Sequence, residues 1–402
     1  MMAGPEPDGD PVPAGGELPP SALVGSAERP LAVYLHVPFC RTRCGYCDFN
    51  TYTAAELGAD PGQARDAYLS ATLGEVALAR RVLGRRRVTT VFVGGGTPTL
   101  LPSQQLVALL DAVRQHFDLA PDAEVSCEAN PESVSPRSLA ELRAGGFTRI
   151  SYGMQSATPA VLATLERVHT PGRAVAAVAE ARAAGFEDVS LDLIYGTPGE
   201  SLDDWRHSLE VALAGEPDHV SAYSLIVEEG TRLERRVRRG ELPAPDEDDL
   251  ADKYLLADEL LSAAGLGWYE LSSWARPGHL CRHNLAYWRS QDWWGIGPGA
   301  HSHVGGVRWW NVRHPARYAA ALAAGRSPGQ AREVLDPQAR RTERVLLELR
   351  LASGLDPAVL TATEQARAVE LTGRGLLQPG YPLRLSRTGR LLADAVVRDL
   401  LD

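Results

Sequence analysis

The sequence predicts an α/β fold built around a parallel sheet, and two observations indicate it. Between residues 31 and 225, short runs rich in β-branched residues alternate with longer stretches of helical period. Polar and glycine-rich segments follow the first three runs directly, at the edge where parallel sheets place their sites. Repeated strand–helix units imply parallel strands with helices over the sheet faces, so the sheet is either doubly wound or curled as a partial barrel.

Six runs are predicted to be the strands of this sheet. In chain order they are LAVYLHV (31–37), VTTVFV (88–93), AEVSCEA (123–129), FTRISYG (147–153), DVSLDLI (188–194) and HVSAYSL (219–225). Amphipathic stretches between them, at 64–83, 103–117 and 201–214 for example, are predicted to be helices. Six strand–helix units are fewer than the eight of a closed barrel.

The two ends of the chain differ from this middle part. Residues 1–30 contain seven prolines and five glycines with few large apolar side chains, which predicts a disordered tail. They have no apolar core of a signal peptide, which predicts a cytoplasmic protein. Residues 236–402 are predicted to form a mostly helical C-terminal domain after the domain at 31–235, and the pattern from 340 onward suits a winged-helix-like module.

Composition excludes several kinds of partner. Acidic side chains number 51 against 41 basic ones, a net charge of −10, so no whole-chain positive field favours nucleic acid. The longest apolar runs are far shorter than a bilayer span, which leaves only peripheral membrane contact open. The single lysine, Lys253, lies in a polar helical stretch and is predicted to be on the solvated surface.

Three of the five cysteines lie within eight residues, as CRTRCGYC: Cys40, Cys44 and Cys47. Outside an oxidising compartment such a group favours a metal site over a disulfide framework. A structural zinc ion needs four protein ligands, and the loop offers no fourth cysteine or histidine. An iron–sulfur cluster can be held by three thiolates, which leaves its fourth iron open to another ligand.

CxxxCxxC after a first strand, with Tyr46 just before the third cysteine, resembles the signature of the radical S-adenosylmethionine (SAM) superfamily. The resemblance implies a partial (βα)6 TIM-like barrel and a 4Fe-4S cluster on the three cysteines. It also implies that SAM binds the open iron and is cleaved to a 5′-deoxyadenosyl radical. The segment VGGGTPTL, with Gly95, Gly96 and Thr97, resembles the glycine-rich stretch that binds the amino group of SAM in this superfamily.

Several further polar residues match the SAM-binding positions of one subfamily, which contains oxygen-independent coproporphyrinogen III oxidase. These residues are Tyr34, Glu128, Gln155, Arg167 and Asp192. Four of them lie in strand-end contexts, where they would surround the mouth of the barrel. Glu128 and Arg167 are predicted to be able to pair.

Two features separate the functions within this subfamily. The oxidases carry a further cysteine two residues after the third, whereas this chain has Phe49 there, which resembles the HemW-type haem chaperones. The stretch HNLAYW at 283–288 is similar to a haem-associated stretch of that group. The resemblance implies a protein that binds haem and hands it to apo-haemoproteins, with no catalytic residue assigned. Decarboxylation of coproporphyrinogen III is the alternative, and radical methyl transfer fits less well.

His283 is the expected axial haem ligand, because imidazole suits haem iron. Aromatic side chains nearby are expected to flank the macrocycle: Tyr287, Trp288, Trp293 and Trp294. His279, Cys281 and His283 together could instead hold a zinc ion or a different haem orientation, and the sequence leaves these alternatives open. His279, His301 and His303 are the further haem-ligand candidates.

Overall fold

The computed structural model describes residues 8–58, 60–167 and 169–402. The strands are β1 (Leu31–Val37), β2 (Arg87–Gly95), β3 (Asp118–Ala129), β4 (Arg149–Gln155), β5 (Asp188–Tyr195), β6 (His219–Ser224), β7 (Gly267–Glu270), β8 (Ser273–Ala275), β9 (Asp292–Ile296), β10 (His301–Val304), β11 (Val307–Asn311) and β12 (Gly329–Val334). The helices are α1 (Pro20–Leu23), α2 (Ala54–Leu57), α3 (Pro61–Leu83), α4 (Ser103–His116), α5 (Pro136–Ala144), α6 (Pro159–Thr164), α7 (Arg173–Ala183), α8 (Leu202–Ala214), α9 (Arg232–Arg238), α10 (Glu247–Ala263), α11 (Arg282–Trp288), α12 (Pro315–Ala323), α13 (Pro337–Glu348), α14 (Ala362–Gly373), α15 (Arg387–Leu391) and α16 (Ala393–Leu401).

These strands form one sheet, in the order β12-β11-β10-β9-β1-β2-β3-β4-β5-β6-β8-β7. Strands β1 to β6 are parallel and adjacent in chain order. A doubly wound sheet reverses its strand order at one point, and the described strands show no such reversal between β1 and β6. The predicted partial barrel of six strand–helix units is therefore confirmed, and the doubly wound alternative is wrong.

The two faces of the parallel strands differ in polarity because successive side chains point to opposite sides. One face is apolar and packs under the helices, with Val91, Val125 and Leu191 in the main core. The opposite, concave face is largely polar. Its side chains include Tyr34, Glu124, Ser126, Glu128, Ser151, Asp192, Ser221 and Tyr223.

Helix α11, which contains the whole HNLAYW stretch, lies across this concave face. The backbone amide of His283 donates to Glu124 on β3 (2.9 Å), and Asn284 donates to Glu270 on β7 (3.1 Å). The carbonyls of His279 and Leu280 accept from Arg149 on β4. Contacts to three separate strands hold the helix as a plug in the concave face.

The N-terminal segment differs from the predicted disorder of residues 1–30 over the part that the structure describes. Asp10 pairs with Arg332 on β12 in both directions (2.8 Å each), and Ala22 is fully buried. Arg29 donates to Asp292 on β9 (2.9 Å). Composition predicted disorder because it contains no information about distant partners. Here the partner is an edge strand about 300 residues away whose backbone groups are available for pairing. Residues 1–7 lie outside the described residues.

The sheet also crosses the predicted domain boundary near residue 235. Strand β9 pairs in parallel with β1, so the strands of residues 267–334 extend the barrel sheet on both sides. A second core lies beyond them and joins α13, α14 and α16, with Val345, Leu371 and Val396 at its centre. The two-domain division and the winged-helix-like end remain predictions. No helix in the described parts of the chain is long and apolar enough to cross a membrane.

Lys253 differs from its predicted surface position. Its side chain on α10 is fully buried, and its ammonium group donates to the carbonyl of Glu200 (2.8 Å) and to Asp249. Burial of the charge is tolerated because these partners and the Glu200 carboxylate, 3.7 Å away, compensate it.

Candidate functional site

The three clustered cysteines lie on a loop that leaves the carboxyl end of β1 and closes on itself. The amide of Tyr52 donates to Pro38 (2.7 Å), and the amide of Cys40 donates to the Tyr52 carbonyl (3.0 Å). Gly45 donates to Leu165 (3.1 Å), which fastens the middle of the loop to the segment after α6. We call residues 38–53 the cysteine loop.

The thiols of the loop are partly buried and act on one another electrostatically. Burial is the main cause of both pKa shifts. It raises the pKa of Cys40, and it raises the pKa of Cys47 to about 11. Thiolates are the form that binds metal, so loading a cluster here displaces protons. In the described parts of the chain no three Cys, His, Asp or Glu side chains stand close enough to share a single ion, the zinc alternative at His279, Cys281 and His283 included.

The glycine-rich segment after β2 packs directly against the cysteine loop. Gly96 donates to the carbonyl of Val37 (2.8 Å), and Thr97 donates to that of Phe39 (2.7 Å). A Cβ atom on Gly96 would lie 2.5 Å from the Phe39 oxygen and 3.0 Å from the Cys40 sulfur. Gly95 has φ +114°, which side chains rarely adopt. The segment thus forms a narrow cradle beside the first cysteine.

Gly96→Ala is expected to remove SAM binding and to lower the iron content of the reconstituted protein, because its methyl group would push the cysteine loop off the cradle. Gly74→Ala is the matched control, since Gly74 lies inside α3 with nothing within 4 Å of an added Cβ. That control should raise stability by about 1 kcal/mol through helix propensity. Iron analysis and equilibrium dialysis with SAM check both. A Gly96→Ala variant that keeps its iron and its SAM affinity would contradict the cradle.

Two half-buried carboxylates face the cradle from β3 and β5. Glu128 accepts from the Gly95 amide (3.0 Å), and Asp192 accepts from the hydroxyl of Ser151 (2.7 Å). Burial, and next the charge of Asp192, raises the pKa of Glu128 to about 8, and burial raises the pKa of Asp192. Two acids with too little positive charge nearby fit a ligand that carries an ammonium and a sulfonium group, as SAM does.

Arg167 reaches the same region from the turn after α6. It donates to the Gly153 carbonyl (2.8 Å) and contacts the Cys44 sulfur at 3.8 Å, while its buried Nε has no partner among the described residues. The predicted pair with Glu128 does not form, because Arg167 lies toward the cysteine loop and Glu128 toward the cradle. An unsatisfied guanidinium nitrogen beside the cluster thiols fits an anionic group such as the carboxylate of SAM.

Gln155 and the two tyrosines complete the predicted set. Gln155 ends β4 with φ +66°, a left-handed conformation that a non-glycine residue adopts at a cost. The Tyr34 hydroxyl is 3.0 Å from Nδ1 of His36, and its ring stacks on Phe92. Tyr46 packs against the small cluster around Leu165 and Leu233, and burial raises its pKa. The structure therefore gathers these residues at the carboxyl edge or on the concave face.

Both ring nitrogens of His283, the expected axial haem ligand, are hydrogen-bonded in this structure. Its side chain is buried, with Nδ1 2.8 Å from the Thr90 hydroxyl and Nε2 2.9 Å from the Tyr287 hydroxyl. Its ring stacks on Phe92 at 5.1 Å, and burial lowers its pKa to about 3. Ligation of haem by His283 stays a prediction, and in this structure its ring nitrogens are bonded because α11 turns His283 into the concave face.

Sequence reasoning missed one member of the site, Tyr223 at the end of β6. Burial of its phenol, and next the charges of Asp192 and Glu270, raise its pKa. The residue as a whole is nevertheless 45% exposed, so it faces the open mouth of the barrel. Its position at the carboxyl end of the sixth predicted strand is the sequence feature that could have identified it as a site residue.

The chain is similar to known proteins over nearly its whole length. The model of the radical SAM superfamily matches residues 34–212. The heme chaperone HemW of Mycobacterium tuberculosis is 58% identical over 386 residues, covering 96% of this chain and 98% of that protein. The heme chaperone HemW of Bacillus subtilis is 34% identical over 325 residues, covering 81% and 84%. The solved structure of Escherichia coli coproporphyrinogen III oxidase shares the fold, with a TM-score of 0.81, 24% identity and coverage of 96% of this chain and 94% of that one. These matches, together with the cysteine loop at the end of the first strand, show that the chain belongs to the radical SAM superfamily and, within it, to the HemW family.

Proposed function

We propose that this protein is a haem chaperone that binds haem and delivers it to apo-haemoproteins. The observation that carries the proposal is the 58% identity, over almost the full length of both chains, to a protein named heme chaperone HemW. Phe49 supports it, because an exposed phenyl ring stands where the oxidase pattern has a cysteine. The decisive experiment combines a haemin titration with a coproporphyrinogen assay on one reconstituted sample.

The site residues fit the two cofactors that the family implies. Cys40, Cys44 and Cys47 would hold a 4Fe-4S cluster, and a fourth iron without a protein ligand would supply the coordination site for SAM. The cradle at Gly95, Gly96 and Thr97 would bind the amino group of SAM by backbone contacts. Other side chains would bind its charged groups or its nucleoside: Glu128, Gln155, Arg167 and Asp192, with Tyr34 and Tyr46 packing beside them. When bound, the pair supplies one-electron cleavage of a sulfonium.

His283→Ala is expected to destabilise the fold and to leave the haem spectrum unchanged. The substitution removes two hydrogen bonds and a ring stack, and it strands the hydroxyls of Thr90 and Tyr287 in the interior. Such losses cost about 3 kcal/mol. Urea unfolding measures the stability, and the Soret band measures the haem environment.

His207→Ala is the matched control, since that histidine is exposed on α8. It should change neither readout. A Soret band that shifts or disappears in His283→Ala, with the fold intact, would restore His283 as the ligand and would mean that α11 moves when haem binds.

The oxidase is the second candidate, and one observation favours it. The fold matches that of coproporphyrinogen III oxidase over nearly the whole of both chains. Identity of 24% supports a common fold only, so the activity of that enzyme is weaker support than the likeness to the chaperones.

A further inference from the structure

The side chain of Asn50 ties the cysteine loop to the segments around β9, β10 and β11, far away in the chain. Asn50 follows Cys47 on the returning end of the loop. Its amide nitrogen donates to the carbonyls of Pro298 and Arg313 (2.9 Å each), and its amide oxygen accepts from the Tyr52 hydroxyl (3.2 Å). Two carbonyl acceptors fix which end of the amide carries the nitrogen. The side chain therefore bridges parts of the chain that are 248 and 263 residues apart.

The backbone of Asn50 is held from a second side. Nε2 of His36, which is buried on β1, donates to the Asn50 carbonyl (2.9 Å). Residues 297–300, which we call the β9–β10 turn, approach both residues closely. A Cβ atom added to Gly299 would lie 2.5 Å from the Asn50 amide nitrogen, and one added to Gly297 would lie 2.6 Å from the His36 oxygen. The turn thus leaves no room for Asn50 to shift toward it.

The β9–β10 turn is itself fixed by Glu75, a buried carboxylate on α3. Glu75 accepts from the Gly297 amide (2.8 Å) and from the side-chain amide of Asn311 (2.7 Å), and the Tyr318 hydroxyl also donates to it. The same Asn311 amide donates to the Gly297 carbonyl (2.9 Å). A buried polar network whose members bond one another is rigid. The turn is therefore a firm support for Asn50.

We propose that Asn50 is a positioning residue that holds Cys47 in the place that an iron–sulfur cluster requires. Metal ligands are oriented by the hydrogen bonds around them, and a cluster on three thiolates has no spare protein ligand. Packing does not hold this end of the loop, because the ring of Phe49 is 49% exposed. The hydrogen bonds of Asn50 take that role. This inference rests on the proposed cluster at Cys40, Cys44 and Cys47.

The test measures how fast the reconstituted full-length protein loses iron to excess bathophenanthroline under anaerobic conditions. Asn50→Ala should lose iron about tenfold faster than wild type, because it lacks two hydrogen bonds of ordinary strength. Asn50→Asp should lose it as fast, since a carboxylate fills the same space but cannot donate to carbonyls. Asn50→Gln keeps the donor and should recover part of the retention.

The midpoint potential of the cluster is a second measurement on the same samples. Release of the loop exposes the cluster to water, which favours the more negatively charged, reduced form. The potential of Asn50→Ala and Asn50→Asp should therefore be higher than that of wild type. A change that only lowered the stability of the fold would leave the potential of the intact cluster unchanged.

Gly299→Ala tests the contact from the opposite side, with Gly325→Ala as its matched control. Both glycines have left-handed backbones, with φ +72° and +70°, so the strain of an alanine is equal in the two. Only Gly299 has Asn50 in the way, since no described atom lies within 4 Å of a Cβ added to Gly325. Gly299→Ala should lose iron as fast as Asn50→Ala, and Gly325→Ala should match wild type. Urea unfolding of the iron-free proteins checks that the two glycine variants are equally stable.

Two results would overturn the assignment. Iron loss at the wild-type rate in Asn50→Ala, with an unshifted potential, would show that the loop holds the cluster without this side chain. Equal iron loss in Gly299→Ala and Gly325→Ala would trace the effect to backbone strain. Wild-type protein that takes up no iron would instead remove the proposed cluster itself, which keeps the two failures apart.

Discussion

Cys44→Ala is expected to abolish the iron–sulfur cluster, taking iron from about four atoms per chain to near zero after anaerobic reconstitution. Three thiolates each bind a different iron, and no other cysteine or histidine of the cysteine loop can replace a missing one. The same loss is expected for Cys40→Ala and Cys47→Ala. Iron and sulfide analysis and the brown absorbance of the sample provide the measurement.

The remaining cysteines serve as matched controls for that loss. Cys127 lies on β3 in the main core, and Cys281 lies at the start of the plug with its sulfur 3.7 Å from Glu124. Both are buried and lie outside the cysteine loop, so neither belongs to the group of three thiols that would hold the cluster. Their alanine variants should keep the full complement of iron. A cluster that survives Cys44→Ala would refute the assignment of the loop.

The wild-type protein should bind about one haem per chain and release it to an apo-haemoprotein, without converting coproporphyrinogen III. Phe49 offers no thiol at the position where the oxidase pattern has one. Inside the barrel, the rings of Tyr34, Phe92, His283 and Tyr287 are in contact and occupy part of the concave face. The measurements are a haemin titration, the spectrum of the recipient after mixing, and porphyrin analysis after anaerobic incubation with SAM and a reductant.

The control for this experiment is the Cys44→Ala protein, which separates haem binding from cluster chemistry. It should still bind haem if haem binding does not use the thiols of the cysteine loop. Conversion of coproporphyrinogen III at catalytic rates by wild-type protein, lost in Cys44→Ala, would establish the oxidase and refute the chaperone.

The six parallel strands and the cysteine loop could be predicted from the sequence because local signals encode them. Each strand is a short apolar run of its own, and the three cysteines lie within one loop, so neither prediction needs knowledge of distant contacts. The position of Gly96 could also be predicted from the sequence, because its close neighbour Phe39 lies in the adjacent strand–loop unit.

The features of the structure that differed from the sequence prediction depend on contact partners far away in the chain. The Thr90 hydroxyl that occupies His283 is 193 residues distant, and the Glu200 backbone that holds Lys253 is 53 residues distant. The sequence pattern of a histidine beside aromatic residues is the same whether its ring nitrogens are free or hydrogen-bonded in the fold. Only the curvature of the sheet, which places α11 inside it, decides between the two.

The junction of β1 with β9, and of the N-terminal segment with β12, constrains the order in which this chain can fold during synthesis. The backbone partners Asp10 and Arg332 lie near opposite ends of the chain, and one edge of β1 stays unpaired until β9 has emerged. An open strand edge is a template for wrong pairing, and a nascent chain exposes it for as long as the partner is unmade. Strands β1 to β6 therefore cannot complete their edge pairing on the ribosome before β9 has been synthesised. The late strands cover the open edge of β1 and so end the exposure that favours aggregation.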